Sequence, residues 1–392
     1  MIFVKTINNS VRVKTILQKS TLIYLVVLLA NVIYAQEDEK SDIHKFNMLY
    51  DVETTPVKHQ GKSGTCWNFA TQSFLESELI RMGKGNYDLS EMYLVRNIYP
   101  LKVEKYIRYH GLTGFGQGGQ AHDVLIAMDK YGLVPEEIYP GKTSPEELYN
   151  HFEMVEVLKG SMDAIINTKG KISNNWKNVC ESVLDVYLGE NPELFEYNGK
   201  EYTPRSFADE LNINSEDYIE LTSYMRYPYY ELSVLEVPDN WTNNEYYNVP
   251  LDDLMAVIDN AIENGYSVVW DGDTSEKTFY RKKGFAVIPV DGADESDVEN
   301  LRESEEEQII TQEIREESFD NFQTTDDHLM HITGIAEDQA GTIFYYTKNS
   351  WGTKNIYDGF WYMSESFVRL KTVAIMVHKD AVPEEIRTKL DI

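Results

Sequence analysis

The chain has 392 residues, of which 42% are hydrophobic and 12% aromatic, ample for a buried core in one large or two modest domains. Its 36 Lys+Arg against 65 Asp+Glu give a net charge of −29, a surface that repels nucleic acid and acidic membranes and excludes partners of that kind. Two cysteines, Cys66 and Cys180, permit one disulfide at most and no cysteine-rich framework.

Lys5, Arg12, Lys14 and Lys19 precede the apolar run Leu22 to Ala30, and "NVIYA" ends on the small Ala35 before the polar "QEDEK". This pattern predicts a signal peptide over residues 1–35, cleaved on export to the periplasm or the cell exterior, with a retained anchor as the alternative. The mature chain then carries 32 Lys+Arg against 65 Asp+Glu and is expected to make no membrane contact.

Further on, Phe69, Phe74, Leu75, Leu79 and Met82 mark a helix over residues 69–82, and Ser90 is a candidate N-cap for the next. A loop with five glycines (Gly111, Gly114, Gly116, Gly118 and Gly119) leads into a helix from about Ala121 to Tyr131. From about Thr143 to Asn212 the pattern is helical and polar, interrupted by "YNGKEYTP". There Cys180 shares an apolar helical stripe with Trp176, Val179, Val183 and Tyr187 and reads as core. A last helix covers Leu251 to Asn264. From Ser267 onward, β-branched and aromatic runs such as "YSVVWDG", "HLMHITGIA" and "TIFYYTKNS" predict strands. Helices first and strands last make the fold class α+β. Residues 291–320 hold 13 acidic and 2 basic side chains, which predicts a lid or surface excursion in solvent.

Chemistry concentrates in "HQGKSGTCWNFA". A thiol at a helix N-terminus meets unpaired N–H groups and the positive end of the dipole, which favour thiolate. Gly61 and Gly64 allow a tight turn, and Gln60 can bring a side-chain N–H beside that of Cys66 to form an oxyanion pocket. A structural cysteine in a Gly-rich loop is the competing reading. A nucleophilic thiol needs a base and an orienter. In "TTDDHLMHITGIA", strand alternation places His328 and His331 on opposite faces, so one of them is a bystander. Asn349, at the end of "YYTKNS", can accept from a His ring N–H, and Trp351 can shield that bond from water. Taken singly, a strand histidine is more often core and "NSWG" more often a turn.

In combination, "QGKSGTCWNFA", "LSEMYLV", "GQGG", "DHLMHITGI" and "KNSWG" resemble, in order, the motifs of papain-type cysteine peptidases. That resemblance implies a two-lobe fold, one lobe helical and one β-barrel-like, spanning residues 36–392. It makes Cys66 the nucleophile, His328 the general base and acid, Asn349 the orienter, Gln60 the oxyanion donor and Trp351 the shield. Gly118 and Gly119 would pair with an extended substrate backbone, and Gln120 would border the pocket for the side chain next to the scissile residue. No metal or other cofactor is implied, and the partner is a peptide substrate.

Ser63 stands where secreted relatives of this type carry a disulfide cysteine. Cys66 and His328 are 262 residues apart, against roughly 130 to 150 in simple papain-like enzymes, which implies a helical insertion over residues 143–248. The insertion, "VYLGENPELFEYNGKEYTPRSFADEL" and "HKDAVPEEIRTKL" are similar to the bleomycin hydrolase and aminopeptidase C branch, whose members form closed rings, so a homo-oligomer is possible. In that branch an arm beyond the "VPEE" segment confines cleavage to free N-termini; this sequence ends at Ile392, so the inserted helices or the acidic stretch are expected to take over. The expectation is an exported thiol aminopeptidase. A papain-like endopeptidase and an inactive peptide-binding fold are the alternatives.

Overall fold

Helix Cys66–Arg81 is buried on nearly every side from Cys66 to Leu79, and the rest of the molecule is arranged around it. The computed structural model describes residues 45–142, 148–290 and 307–392; the expected signal peptide lies outside them. This helix starts three residues before the apolar pattern suggests. A helix buried all round has no single apolar stripe, so periodicity marks its middle better than its start. Ser90 caps the next helix, Glu91–Arg108, its hydroxyl accepting from the Tyr93 N–H at 3.0 Å. Helix Ala121–Tyr131 follows the glycine loop and stops at Gly132, whose φ of 85° suits glycine.

Within residues 143–248 the chain forms helices Phe152–Ile166, Asn175–Leu188 and Pro204–Leu211. The interruption "YNGKEYTP" is a hairpin of Phe195–Tyr197 and Lys200–Tyr202, turning at Asn198 and Gly199, both with positive φ. From Tyr218 the region departs from the helical expectation: Tyr218–Thr222, Glu231–Val234 and Glu245–Asn248 are strands that extend the main sheet. Alternation in "DYIEL" buries Tyr218 and Glu220 on that sheet.

The sheet runs in the order Glu231–Val234, Glu245–Asn248, Tyr218–Thr222, Thr372–His378, Val268–Gly272, His328–Asp338, Ile343–Lys348, Phe360–Ser364, Phe285–Ala286, Phe279–Tyr280. Strand His328–Asp338 also pairs with Phe46–Asp51. Two cores result. One fills the helical lobe around Trp67, Phe74, Leu94 and Val124. The other lies between helix Leu251–Glu263 and the sheet, around Ile258, Trp270, Met330 and Ile332. Val269, Leu329 and Met376 of the sheet belong to the helical core, so the two lobes meet along the central helix.

Residues 291–306 of the acidic stretch lie outside the described residues. The remainder is not a solvated excursion. The Glu307 carboxylate accepts from the Ile288 N–H at 2.9 Å and from Ser364 Oγ at 2.6 Å. Arg315, on helix Gln312–Asp320, is buried and donates to the carbonyls of Ser223 and Arg369 at 2.8 and 2.9 Å. Charged groups with this many partners anchor structure rather than solvate it. Among the described residues, no helix is long and apolar enough to cross a membrane.

Candidate active site

The turn before Cys66 is fixed from both lobes. Gly61 has φ +65°, and a Cβ there would lie 2.5 Å from the Tyr149 carbonyl oxygen, so only glycine fits. Gln60 donates its backbone N–H to the Ser350 carbonyl at 2.8 Å and accepts from Ser350 Oγ at 2.5 Å on its side-chain oxygen. One Nε2 hydrogen goes to the Ser63 carbonyl at 2.7 Å. Gly64 N–H and the Trp67 indole N–H both bond Gln117, at 2.8 and 3.0 Å, which ties the glycine loop to the start of the helix.

Cys66 opens the helix, and its sulfur lies against the backbone N–H of Leu329, the residue after His328. The His328 ring bonds Asn349 Oδ1 through Nε2 at 2.8 Å and stacks on the Trp351 indole at 4.6 Å between centroids. Arg281 lies over the other ring system of this stack, 4.7 Å from the Trp351 centroid. Cys66 and Cys180 are both free thiols, and Cys180 is buried in its helix. Burial pushes the Cys66 thiol up to about 12, with Asp239, Asp271 and Asp326 adding to the rise and the Leu329 N–H opposing it. Burial pushes His328 down to about 4, against the Asn349 bond. The lowered thiol value expected from a helix N-terminus is therefore overridden by desolvation. Either charge alone is disfavoured here.

His331 faces away, bonding Ser73 Oγ through Nδ1 at 2.9 Å. Lys348 shares Ser73 at 2.7 Å and Thr55 at 3.1 Å, and burial lowers it to about 8. This polar group braces the back of the central helix.

Residues 13–392 match the model of the Peptidase C1-like family. The chain belongs to that family and is a cysteine peptidase. It is 25% identical over 374 residues to aminopeptidase G of Lactobacillus delbrueckii subsp. lactis, covering 84% of this chain and 82% of that protein. It is 24% identical over 406 residues to bleomycin hydrolase of Mus musculus, covering 89% and 85%. The crystal structure of PepW from Lactobacillus rhamnosis HN001 superposes with a TM-score of 0.70 at 19% identity, over 88% of this chain and 84% of that one, a papain-like fold.

At the glycine loop the peptidase carries a wall of carboxylates that sequence reasoning missed. Gln120 donates through Nε2 to Asp326 Oδ2 at 2.8 Å and accepts from the Tyr246 hydroxyl at 3.3 Å. Asp326 lies against Asp271, whose two oxygens, among the described residues, receive no hydrogen bond from any amide, hydroxyl or cationic group. The Asp239 carboxylate sits over Gly118, where any Cβ would overlap it, and Lys102 donates to the Gly118 carbonyl. Gly119 is packed against Trp67 and Asp123. The Gly118 carbonyl, expected from the motif to pair with a substrate backbone together with Gly119, thus already accepts from Lys102. Burial raises Asp326 to about 7, with Asp239 adding, and raises Asp271 well above its usual range, with Asp326 adding. Asp271 was detectable as the one acid inside the apolar run "SVVWDG"; Asp239 and Asp326 carry no local signal.

Proposed function

We propose that this cysteine peptidase is an exported aminopeptidase that releases residues from free peptide N-termini through a Cys66 acyl-enzyme. The observation that carries the reading is the seam itself. A thiol at the first helical position lies beside the residue following His328, whose ring is oriented by Asn349 and covered by Trp351. With Nε2 donating to Asn349, the Nδ1 lone pair is the base. It takes the thiol proton as sulfur attacks the peptide carbonyl, then gives it to the leaving amine. Water enters, loses a proton to the same nitrogen as it attacks the acyl carbon, and the C–S bond breaks, the sulfur taking that proton back as the acid product leaves. The Cys66 N–H and the second Nε2 hydrogen of Gln60 are the donors for the oxyanion. The relatives' names, aminopeptidase G above all, support the exopeptidase side of the reading. The basic and apolar pattern of residues 1–35 supports export.

The test is a digest of one peptide with and without N-acetylation, by wild type and Cys66→Ala. Stepwise loss of N-terminal residues from the free peptide alone, abolished by Cys66→Ala, is expected. Internal cleavage that ignores the acetyl group refutes the aminopeptidase.

A further inference from the structure

Residues 235–244, which connect strands Glu231–Val234 and Glu245–Asn248, lie across the glycine loop and the start of helix Ala121–Tyr131. Trp241 donates to Asp123 Oδ2 at 2.7 Å, Thr242 Oγ1 bonds His122 Nε2 at 2.7 Å, and Lys105 donates to the Trp241 carbonyl. Lys102 lies 5.7 Å from the ring centroids of both Trp67 and Trp241. Asn240 braces the connection internally, donating to the carbonyls of Leu235 and Asn244, both at 2.9 Å. From this segment the Asp239 backbone N–H reaches across to Asp326, on the lobe that carries His328. A braced segment that touches both sides of a cleft ends the cleft there.

Three carboxylates gather at that end: Asp239 sits on Gly118 and Gln120 holds Asp326, next to Gly119, which packs on Trp67, the neighbour of Cys66, and Asp271 lies against Asp326. Asp271 is only 3% exposed, and among the described residues no amide, hydroxyl or cationic group donates to it; its neighbour is the Asp326 carboxyl group. Two carboxyl groups in contact are held by a shared proton or by a cation between them. The neighbouring cations are committed elsewhere: His122 to Glu220 at 2.8 Å, and Lys102 to the carbonyls of Gly116 and Gly118, from where it offsets Asp123 and Asp239.

We propose that residues 235–244 and the carboxylates of Asp239, Asp271 and Asp326 form an ammonium-binding end wall that seats the free α-amino group of the substrate beside Cys66. The proposal deepens the aminopeptidase reading and rests on it for the source of the ammonium group. A lysine side chain preceding the scissile residue offers the same chemistry to an endopeptidase. With the wall in place, a chain extended past the amino group meets residues 235–244, and an acetylated amine leaves the carboxylates unpaired, which penalises its binding.

Four fluorogenic coumarinamides separate these cases: leucyl, N-acetyl-leucyl, N-acetyl-lysyl-leucyl and N-acetyl-norleucyl-leucyl. Each is assayed with wild type, Asp326→Asn, Asp239→Asn and the charge-keeping Asp326→Glu. Wild type is expected to favour the free leucyl substrate over its acetyl form by about 100-fold or more in kcat/KM. Both Asn variants are expected to raise KM for it about tenfold with kcat little changed, and Asp326→Glu to recover part of the loss. A free-amine preference that survives in both Asn variants, or a loss confined to kcat, overturns the end wall and leaves the aminopeptidase standing. Indifference to the leucyl acetyl group together with a preference for lysyl over norleucyl overturns the aminopeptidase and keeps the ammonium site. Titration of Cys66→Ala with leucyl-leucinamide and its N-acetyl form reads the same selectivity without turnover. Equal affinities for the two peptides overturn the proposal.

Discussion

His328 donates its Nε2–H to Asn349 Oδ1 at 2.8 Å, and the same oxygen accepts the Ser350 N–H at 2.7 Å. The amide is thus held independently of the ring it orients. Because Asn349 acts on the ring rather than on substrate, Asn349→Ala is expected to lower kcat by about 10- to 100-fold with KM nearly unchanged. Steady-state kinetics on a free-amine substrate measures this. A raised KM with kcat intact would place Asn349 in substrate binding.

The resting pair is neutral over a wide range, with the thiol pushed up to about 12 and the imidazole down to about 4. Alkylation of Cys66 by iodoacetamide in the absence of substrate is therefore expected to be slow at about pH 6 and to climb roughly tenfold per pH unit as thiolate forms. Asp326→Asn and Asp239→Asn each remove a negative charge that holds the thiol protonated, so both should shift the profile to lower pH. A fast plateau from about pH 5 to 8 would instead indicate a preformed thiolate–imidazolium pair.

Much of this site was legible in the chain because its parts are local. A tight turn needs glycine at Gly61, a helix start follows it, and strand alternation separates His328 from His331. Each of these is set within a few residues, and the structure has His331 turned to Ser73. The carboxylate wall was not legible. Asp239, Asp271 and Asp326 come from three segments that only the sheet order brings together, and an acid's burial depends on what crosses above it. The same reason hid the strands after Tyr218: their partners, Thr372–His378 among them, lie far along the chain. Desolvation of Cys66 is likewise a property of the closed seam between lobes, where a local reading finds only the helix N-terminus.

Gln60 and Gly61 can be tested together. Gln60→Ala removes a side-chain donor from the oxyanion pocket and is expected to lower kcat by about 100- to 1,000-fold. Gly61→Ala leaves that amide present but forces a side chain into φ +65° and toward the Tyr149 carbonyl, 2.5 Å away. It is expected to cost about 1–3 kcal/mol of stability and to lower kcat less than Gln60→Ala does. Urea denaturation and initial rates measure the two effects. Full activity in Gln60→Ala would remove this residue from the mechanism.

His151 offers a pH test of the helical lobe away from the chemistry. It is 3% exposed, neither ring nitrogen has a hydrogen-bond partner among the described residues, and burial pushes it down to about 4. The unfolded chain takes its proton near the ordinary value of about 6.5. Folding is therefore penalised as pH falls from about 6.5 toward 4, and the penalty is absent above that window. Buried acids such as Asp326 and Glu136, raised to about 7 and about 8, act oppositely, because the folded state takes up their protons first. Total stability mixes the two signs, whereas comparison with His151→Phe isolates one. Between pH 7 and 5, urea denaturation should show wild type losing about 2 kcal/mol relative to that variant. A difference that does not change with pH would mean that His151 protonates equally well in the folded lobe.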